Sequence, residues 1–171
     1  MAGGTSTGGR PEGSLEISVV TDQAAMDAAL SVRFRVFVEE QHVPLEEEVD
    51  GYDANPGANP AVLHVLARLD GEPVATARLL LDQHDHGLHE AHSGYPHIGR
   101  VAVLAEHRQN GVGRRVMEAL HAEARARGIA GITLSAQLHA VPFYERLGYT
   151  ARGEVYLDAG IEHRDMDLPF E

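Results

Sequence analysis

Six consecutive residues, Arg108-Gln109-Asn110-Gly111-Val112-Gly113, carry the strongest chemical signal in the chain. Two glycines one residue apart let the backbone come close to a ligand. They precede a run in which Val112, Val116, Leu120 and Ala124 recur at helical spacing up to Gly128. A helix that begins this way offers free N–H groups and the positive end of its dipole, which together bind anions. Arg108 adds a fixed positive charge at the mouth. The turn is not a Walker loop, because no Lys-Ser/Thr follows, and it is not a dinucleotide G-x-G-x-x-G. Taken alone it reads equally well as a plain capping turn.

Two other segments concentrate chemistry. Between Arg33 and Asp53 stand Glu39, Glu40, Glu46, Glu47, Glu48, Asp50 and Asp53, against Arg33 and Arg35. Such a run is a solvated face in its bland reading. As the wall of a site it attracts a cation, and pairing of Arg33 or Arg78 with Glu48, Asp50 or Asp53 makes part of it structural. His84, His86, His89 and His92 have spacings that suit Zn²⁺ or Ni²⁺. No helix or strand template fixes them, so they read as a polar loop and no metal is expected.

These residues need a scaffold, and the hydrophobic pattern supplies one. Leu15 to Val20 alternates as a strand, and Thr21 or Asp22 caps a helix through Met26, Leu30, Phe34 and Phe37/Val38 that Pro44 ends. Glu46 to Pro60 is turn-rich. Leu63, Val65, Ala67 and Leu69 place a strand on one face, and Asp70-Gly71 turns it into a partner from Val74 to Leu81. A strand from His97 to Val103, the Gly-turn helix, an apolar strand from Ile132 to Ala136 and a short helix entered at Pro142 follow. Strands near Tyr149–Tyr156 and Ile161–Leu168 close the chain. The order β-α-β-β-β-α-β-α-β-β predicts an α/β fold, a mixed sheet of about seven strands flanked by helices.

At 171 residues the chain suits one domain. Residues 1–14 hold five glycines and almost nothing to bury, so they read as a disordered leader before a domain spanning residues 15–171. With 26 acidic against 14 basic residues the net charge is −12, which excludes the basic footprint of a nucleic-acid binder and docking on an anionic membrane. No apolar run is long enough to span a bilayer. The absence of cysteine excludes disulfides, zinc–thiolate sites and a thiol nucleophile, and fits a cytoplasmic setting. All 14 basic residues are arginine. The sequence is compatible with a homodimer and does not select one.

The strand, the RQNGVG turn, its helix, a buried strand and then Ala140-Val141-Pro142-Phe143-Tyr144-Glu145-Arg146-Leu147-Gly148-Tyr149 resemble the GNAT superfamily of acetyl-CoA-dependent N-acetyltransferases. The first motif, R/Q-x-x-G-x-G/A, is complete. In the second, Gln137 stands where the family carries Asn. The acidic stretch, read as R-x-x-x-F…E-Q…E-x-D-x-x-D, resembles the ElaA/YjcF-like branch. It also resembles acyl-homoserine-lactone synthases, whose additional Trp this chain lacks and whose later strand Arg matches Arg78.

The resemblance implies an acetyl-CoA site and roles for particular residues. Backbone N–H groups of Arg108, Gln109, Asn110, Gly111, Val112 and Gly113 hold the pyrophosphate. Val101, Ala102 and Val103 lend their strand backbone to the pantetheine arm, with Gln137 and Phe143 beside it. A strand N–H near Val103 also polarises the thioester carbonyl. Tyr144 is the general acid for the departing thiolate. The base is His97, at the start of the cofactor strand, or Glu40. Arg33, Phe37, Glu48, Asp50, Asp53 and Arg78 wall the acceptor site. The expected reaction is direct attack by a small cationic amine. The alternatives are a longer-chain acyl transfer of the lactone-synthase type and an acyl-CoA-binding module without turnover.

Overall fold

The computed structural model describes residues 13–82 and 94–171. The first twelve residues of the expected leader, and His84, His86, His89 and His92, lie outside the described residues. The elements run β1 (Leu15–Val19), α1 (Gln23–Arg33), a π-helical segment (Phe34–Glu40), a single turn α2 (Leu45–Glu48), a 3-10 turn (Gly51–Asp53), β2 (Val62–Leu69), β3 (Glu72–Leu80), β4 (His97–Val103), α3 (Val112–Ala126), β5 (Gly131–Gln137), α4 (Val141–Arg146), β6 (Thr150–Asp158) and β7 (Ile161–Pro169). The predicted order holds. The strands form one sheet in the order β1-β2-β3-β4-β5-β7-β6.

All neighbouring strands are antiparallel except β4 and β5, which the α3 crossover forces to run parallel. That parallel ladder is short. It pairs His97 with Thr133 and Ile98 with Leu134, and then the strands part. The consequence is a slit in the middle of the sheet, with the edge of β4 beyond Ile98 left unladdered on the β5 side.

Helices cover both faces. The inward stripe of α3, Val116, Met117, Leu120 and Ala124, packs with Val65, Ala77, Ile98, Ile132 and Met166 in the main core. On the other face Met26 and Ala29 of α1 close over Leu66, while Val32 and Val36 close over Ala102 and Leu104. β2 is therefore buried on both faces from Leu63 to Ala67, where alternation had suggested one buried face.

The helix expected to run from Thr21 past Phe37 changes winding at Phe34, where α turns give way to π turns. Phe34 is left 40% exposed, and Arg33, the last α residue, turns inward to 1% exposure. Its Nε donates to Glu48 Oε1 at 2.6 Å, and Nη1 and Nη2 donate to the two Asp53 oxygens at 2.6 and 3.0 Å. Arg78 of β3 binds both oxygens of Asp50 at 2.8 and 2.7 Å and reaches Asp53 at 3.2 Å. Arg100 of β4 completes the set, 3.2 Å from Glu48 Oε2 and 3.5 Å from Asp50 Oδ2. Three guanidiniums meet three carboxylates. Burial alone would push the Asp53 carboxyl up, but the Arg33 hydrogen bonds and charge hold it below the usual carboxylate range.

This network pins a distortion in β4. Arg100 has φ +52°, a left-handed conformation that costs a non-glycine residue about 1–3 kcal/mol. The register against β3 slips between Thr76 and Arg78, where β4 carries the extra residue of a bulge. The Arg100 side chain anchors the bulge by donating to the Glu48 carbonyl at 3.0 Å and the Glu47 carbonyl at 3.2 Å. The slit opens at this bulge.

Behind the sheet, His121 of α3 lies 2.6 Å from the Tyr149 hydroxyl, both buried. Burial, reinforced by Arg125, pushes the imidazole down to about 4, so it is neutral in the fold.

Two stability measurements follow. Arg33→Met strands two buried carboxylates and should cost about 3–5 kcal/mol in denaturant unfolding. The same change at Arg35, whose pair with Glu106 is half-exposed, should cost less than about 1 kcal/mol. The unfolded chain protonates His121 near 6.5 and the fold does not until about 4, so stability should fall as pH drops through that window and level off below it. The loss is about 3 kcal/mol at about 1.4 per pKa unit. His121→Gln should flatten that part of a stability-versus-pH curve. The lowered Asp50 and Asp53 groups stabilise above the ordinary carboxylate range and lose that contribution only at more acid pH.

Candidate active site

The slit opens into one continuous cleft of about 1640 Å³. At one end stands the RQNGVG turn. Gly111 caps α3 with φ +78° and no side chain answers the first N–H groups of the helix. The amides opening a 15-residue helix therefore face the cleft with its dipole behind them. Gln109 is also left-handed, at φ +66°, which curls the turn into a concave nest. Gly113 brings α4 close to the start of α3: a Cβ there would make ordinary van der Waals contact with Phe143 Cζ at 3.4 Å and Val103 Cγ2 at 3.5 Å.

Arg108 sits at the rim. It donates to the Val103 carbonyl at 2.9 Å and binds Glu40 with two hydrogen bonds of 2.7 and 2.9 Å. Glu40, expected as a base, is thus tied to a cation at the anion-binding end. Val101 and Val103 line the cleft, whereas Ala102 points to the opposite face and packs with Val32 and Val36. Gln137, at the end of β5, reaches across to Gln41 after the π segment, and the two amides exchange hydrogen bonds of 3.2 and 2.7 Å.

Tyr144 is held by its neighbours. Pro142 starts the short helix, and the Tyr144 ring meets Phe143 and Tyr149 edge-on at 5.0 and 5.8 Å. The residue is only 7% exposed, and burial pushes its phenol up from the ordinary value. Among the described residues its hydroxyl has no hydrogen-bond partner, and it opens onto the cleft. A protonated O–H free to donate is what protonation of a leaving thiolate requires.

The other side of the sheet presents a different surface to the cleft. His97 lies at the closed end of the slit, paired in register with Thr133. Phe37 lines the cleft from the π segment while packing on the Val32–Leu104 cluster. Glu48, Asp50 and Arg78 also border it, but their charged groups are spent on one another and on Arg33, Asp53 and Arg100. Arg33 and Asp53 do not line the cleft. Within the acidic stretch, Glu48, Asp50 and Asp53 form a neutralised structural unit, with Arg100 as its unforeseen third cation, while Glu47 borders the cleft outside that unit.

Sequence reading also missed the far wall. Ser135, His163, Asp165, Arg152 and Tyr156 line the cleft from β5, β7 and β6. Tyr156 donates to Asp165 Oδ1 at 2.5 Å and Ser135 donates to the same oxygen at 3.0 Å. Arg152 gives two hydrogen bonds to Asp167. The signal was present in β7, where His163, Asp165 and Asp167 alternate with Met166 and Leu168, so a polar face backs an apolar one. Among the described residues no cluster has the makings of a metal site, and no helix is long and apolar enough to cross a membrane.

Known proteins share this arrangement. The family model of the acetyltransferase (GNAT) domain matches residues 20–170. YjcF, an uncharacterized N-acetyltransferase of Bacillus subtilis (strain 168), is 37% identical over 150 residues, which is 86% of this chain and 95% of that one. A crystal structure of an acyl-CoA N-acyltransferase from Pseudomonas aeruginosa is 36% identical, covering 90% of this chain and 99% of its own, with a TM-score of 0.71. That of Escherichia coli ElaA is 29% identical, covering 90% and 99%, with a TM-score of 0.72. A split sheet, an uncapped helix beside the split and a sequence match along nearly the whole domain lead to one assignment: the chain belongs to the GNAT family of acyl-CoA-dependent N-acyltransferases.

Proposed function

We propose that the protein moves an acetyl group from acetyl-CoA to the primary amine of a small acceptor by direct attack in a ternary complex. The observation that carries this reading is the geometry of the slit. An anion-binding helix start lies at one end, an unladdered strand edge runs beside it, and the Tyr144 hydroxyl opens onto the same cleft.

The chain's own groups suit each part of the donor. The amides from Gln109 to Gly113 offer donors and a dipole to a pyrophosphate. The free edge of β4 offers main-chain hydrogen bonds to the amides of a pantetheine arm, and a β4 N–H near Val103 polarises the thioester carbonyl. Phe143 lies beside that path. Tyr144 gives its proton to the departing sulfur. In water a phenol at about 10 is uphill of a thiol at about 8.5 by roughly 2 kcal/mol. A dry slit disfavours the bare thiolate as it does the phenolate, so burial does not widen the gap by its full effect on Tyr144.

Of the two expected bases, Glu40 is engaged by Arg108, and His97 stands at the closed end of the slit. Phe37 remains a wall of the acceptor site. Arg33, Glu48, Asp50, Asp53 and Arg78 contribute by holding that wall in place.

The direct test is release of free CoA thiol from acetyl-CoA with a panel of primary amines. Thermal stabilisation by CoA with no thiol release would favour a binding module, and turnover only with long-chain donors would favour a synthase-like transfer. Two variants test the parts. Gly111→Val fills the left-handed position at the helix start and should abolish stabilisation by CoA in a melting assay; binding that survives would move the pyrophosphate site elsewhere. Tyr144→Phe should lower kcat by about 100-fold, within the range of one acid–base group, while KM for acetyl-CoA stays within about twofold. An unchanged kcat would remove Tyr144 as the acid.

A further inference from the structure

The far wall of the cleft holds two groups that none of the assigned roles uses. His163 Nδ1 is 2.7 Å from the Ile161 carbonyl oxygen. A carbonyl only accepts, so Nδ1 carries the proton, and in the neutral ring Nε2 carries the lone pair. The ring stacks on Tyr156 at 6.0 Å with an interplanar angle of 21°, which fixes its plane. Nε2 has no hydrogen-bond partner among the described residues and is not sealed off from solvent, and the residue lines the cleft. An imidazole with its tautomer locked and its basic nitrogen open is prepared to accept a proton.

Asp165 lies two residues along the same strand, so its side chain shares the His163 face at a spacing of about 7 Å. Its Oδ1 is taken by Tyr156 and Ser135. Burial and the hydrogen bond to Asp165 push the Tyr156 phenol up, so it stays a donor. Oδ2 accepts no hydrogen bond among the described residues, and the nearest cation there, Arg152 Nη1, is 3.9 Å away while its Nε is bound to Asp167 at 2.7 Å. On the opposite wall the three carboxylates are matched by three guanidiniums. Asp165 is therefore a cleft carboxylate with an oxygen left for an incoming cation, on the same strand face as the His163 ring.

We propose that His163 and Asp165 receive the acceptor: Asp165 Oδ2 holds the ammonium of a cationic primary amine, and His163 Nε2 takes its proton. This rests on the N-acetyltransferase reading. The proton balance closes. His163 Nε2 removes one ammonium proton, and the freed lone pair forms the C–N bond to the thioester carbon. The C–S bond breaks with its electron pair on sulfur. Tyr144, on the other side of the sheet, gives its proton to that sulfur and recovers the second proton shed by the amide nitrogen. The products are the N-acetyl amine, free CoA thiol and a protonated His163, which loses its proton to solvent.

The test measures CoA thiol release by the full chain with putrescine, spermidine, glucosamine and lysine ethyl ester, and continues with the best acceptor. His163→Asn keeps a donor where Nδ1 stood and removes Nε2. It should lower kcat about 100-fold with that acceptor and far less with methoxyamine, an amine already unprotonated at neutral pH. Asp165→Asn should raise KM for the cationic amine at least about tenfold, with KM for acetyl-CoA unchanged. Glu162→Gln, exposed on the same strand, is the control. If the wild type acetylates none of the amines, the N-acetyltransferase reading falls and this inference with it. If the wild type turns over and His163→Asn and Asp165→Asn behave like the control, or if His163→Asn loses methoxyamine turnover equally, the inference alone is overturned.

Discussion

The structure depends on a buried exchange of charge between three arginines and three carboxylates. Arg33 arrives from the end of α1, Arg78 from β3 and Arg100 from β4, and they converge on Glu48, Asp50 and Asp53 in the connection between α1 and β2. Neither half is stable in that position alone, because an unpaired ion at this depth costs several kcal/mol. Together they tie a helix end, a turn-rich connection and two strands into one unit. The same unit holds Arg100 in a conformation its side chain would otherwise avoid. The bulge it anchors lies just past Ile98, where the ladder between β4 and β5 ends, so the charge network and the slit meet at the same point of β4.

That dependence also explains the distribution of roles along the chain. The anion-binding end is local: a turn, a left-handed glycine and a helix start, all within a few residues. The reactive middle is non-local, made where α4, β4, β5 and β7 meet. The two sides of the sheet divide the work. Tyr144 stands on the α3/α4 side among aromatic rings, and the polar wall of β5, β7 and β6 stands on the other. On the proposed reading, a thioester between them would be met by donor and acceptor groups from opposite directions, so neither would have to move to let the other act.

Local features were legible in the sequence. The RQNGVG turn, the helix behind it and the Pro142 helix carry their own start and stop signals, and the succession of strands and helices along the chain followed from apolar periodicity. Charge pairing was legible only in part. Arg33 and Arg78 offered themselves as partners of Glu48, Asp50 and Asp53, but the same carboxylates read equally as an acidic entrance, because a sequence shows charges and not which pairs form, and Arg100 lay too far along the chain to be counted among them. The winding change at Phe34 escaped because Met26, Leu30, Phe34 and Phe37 suit an unbroken α-helix, and only the inward pull on Arg33 departs from it. His163 and Asp165 were passed over for a similar reason. Alternation marked β7 as a strand without saying that its polar face would border a cleft.

The use of arginine in that network has a chemical corollary. Arg78 and Arg100 line a cavity suited to an activated thioester. A lysine in either place would bring an ε-amine, a nucleophile of the same kind as the intended acceptor, beside the acyl group. A guanidinium stays protonated and does not compete. The chain contains no lysine at all, so no side chain of its own offers an amine to be acylated in passing, by this molecule or by a neighbouring copy.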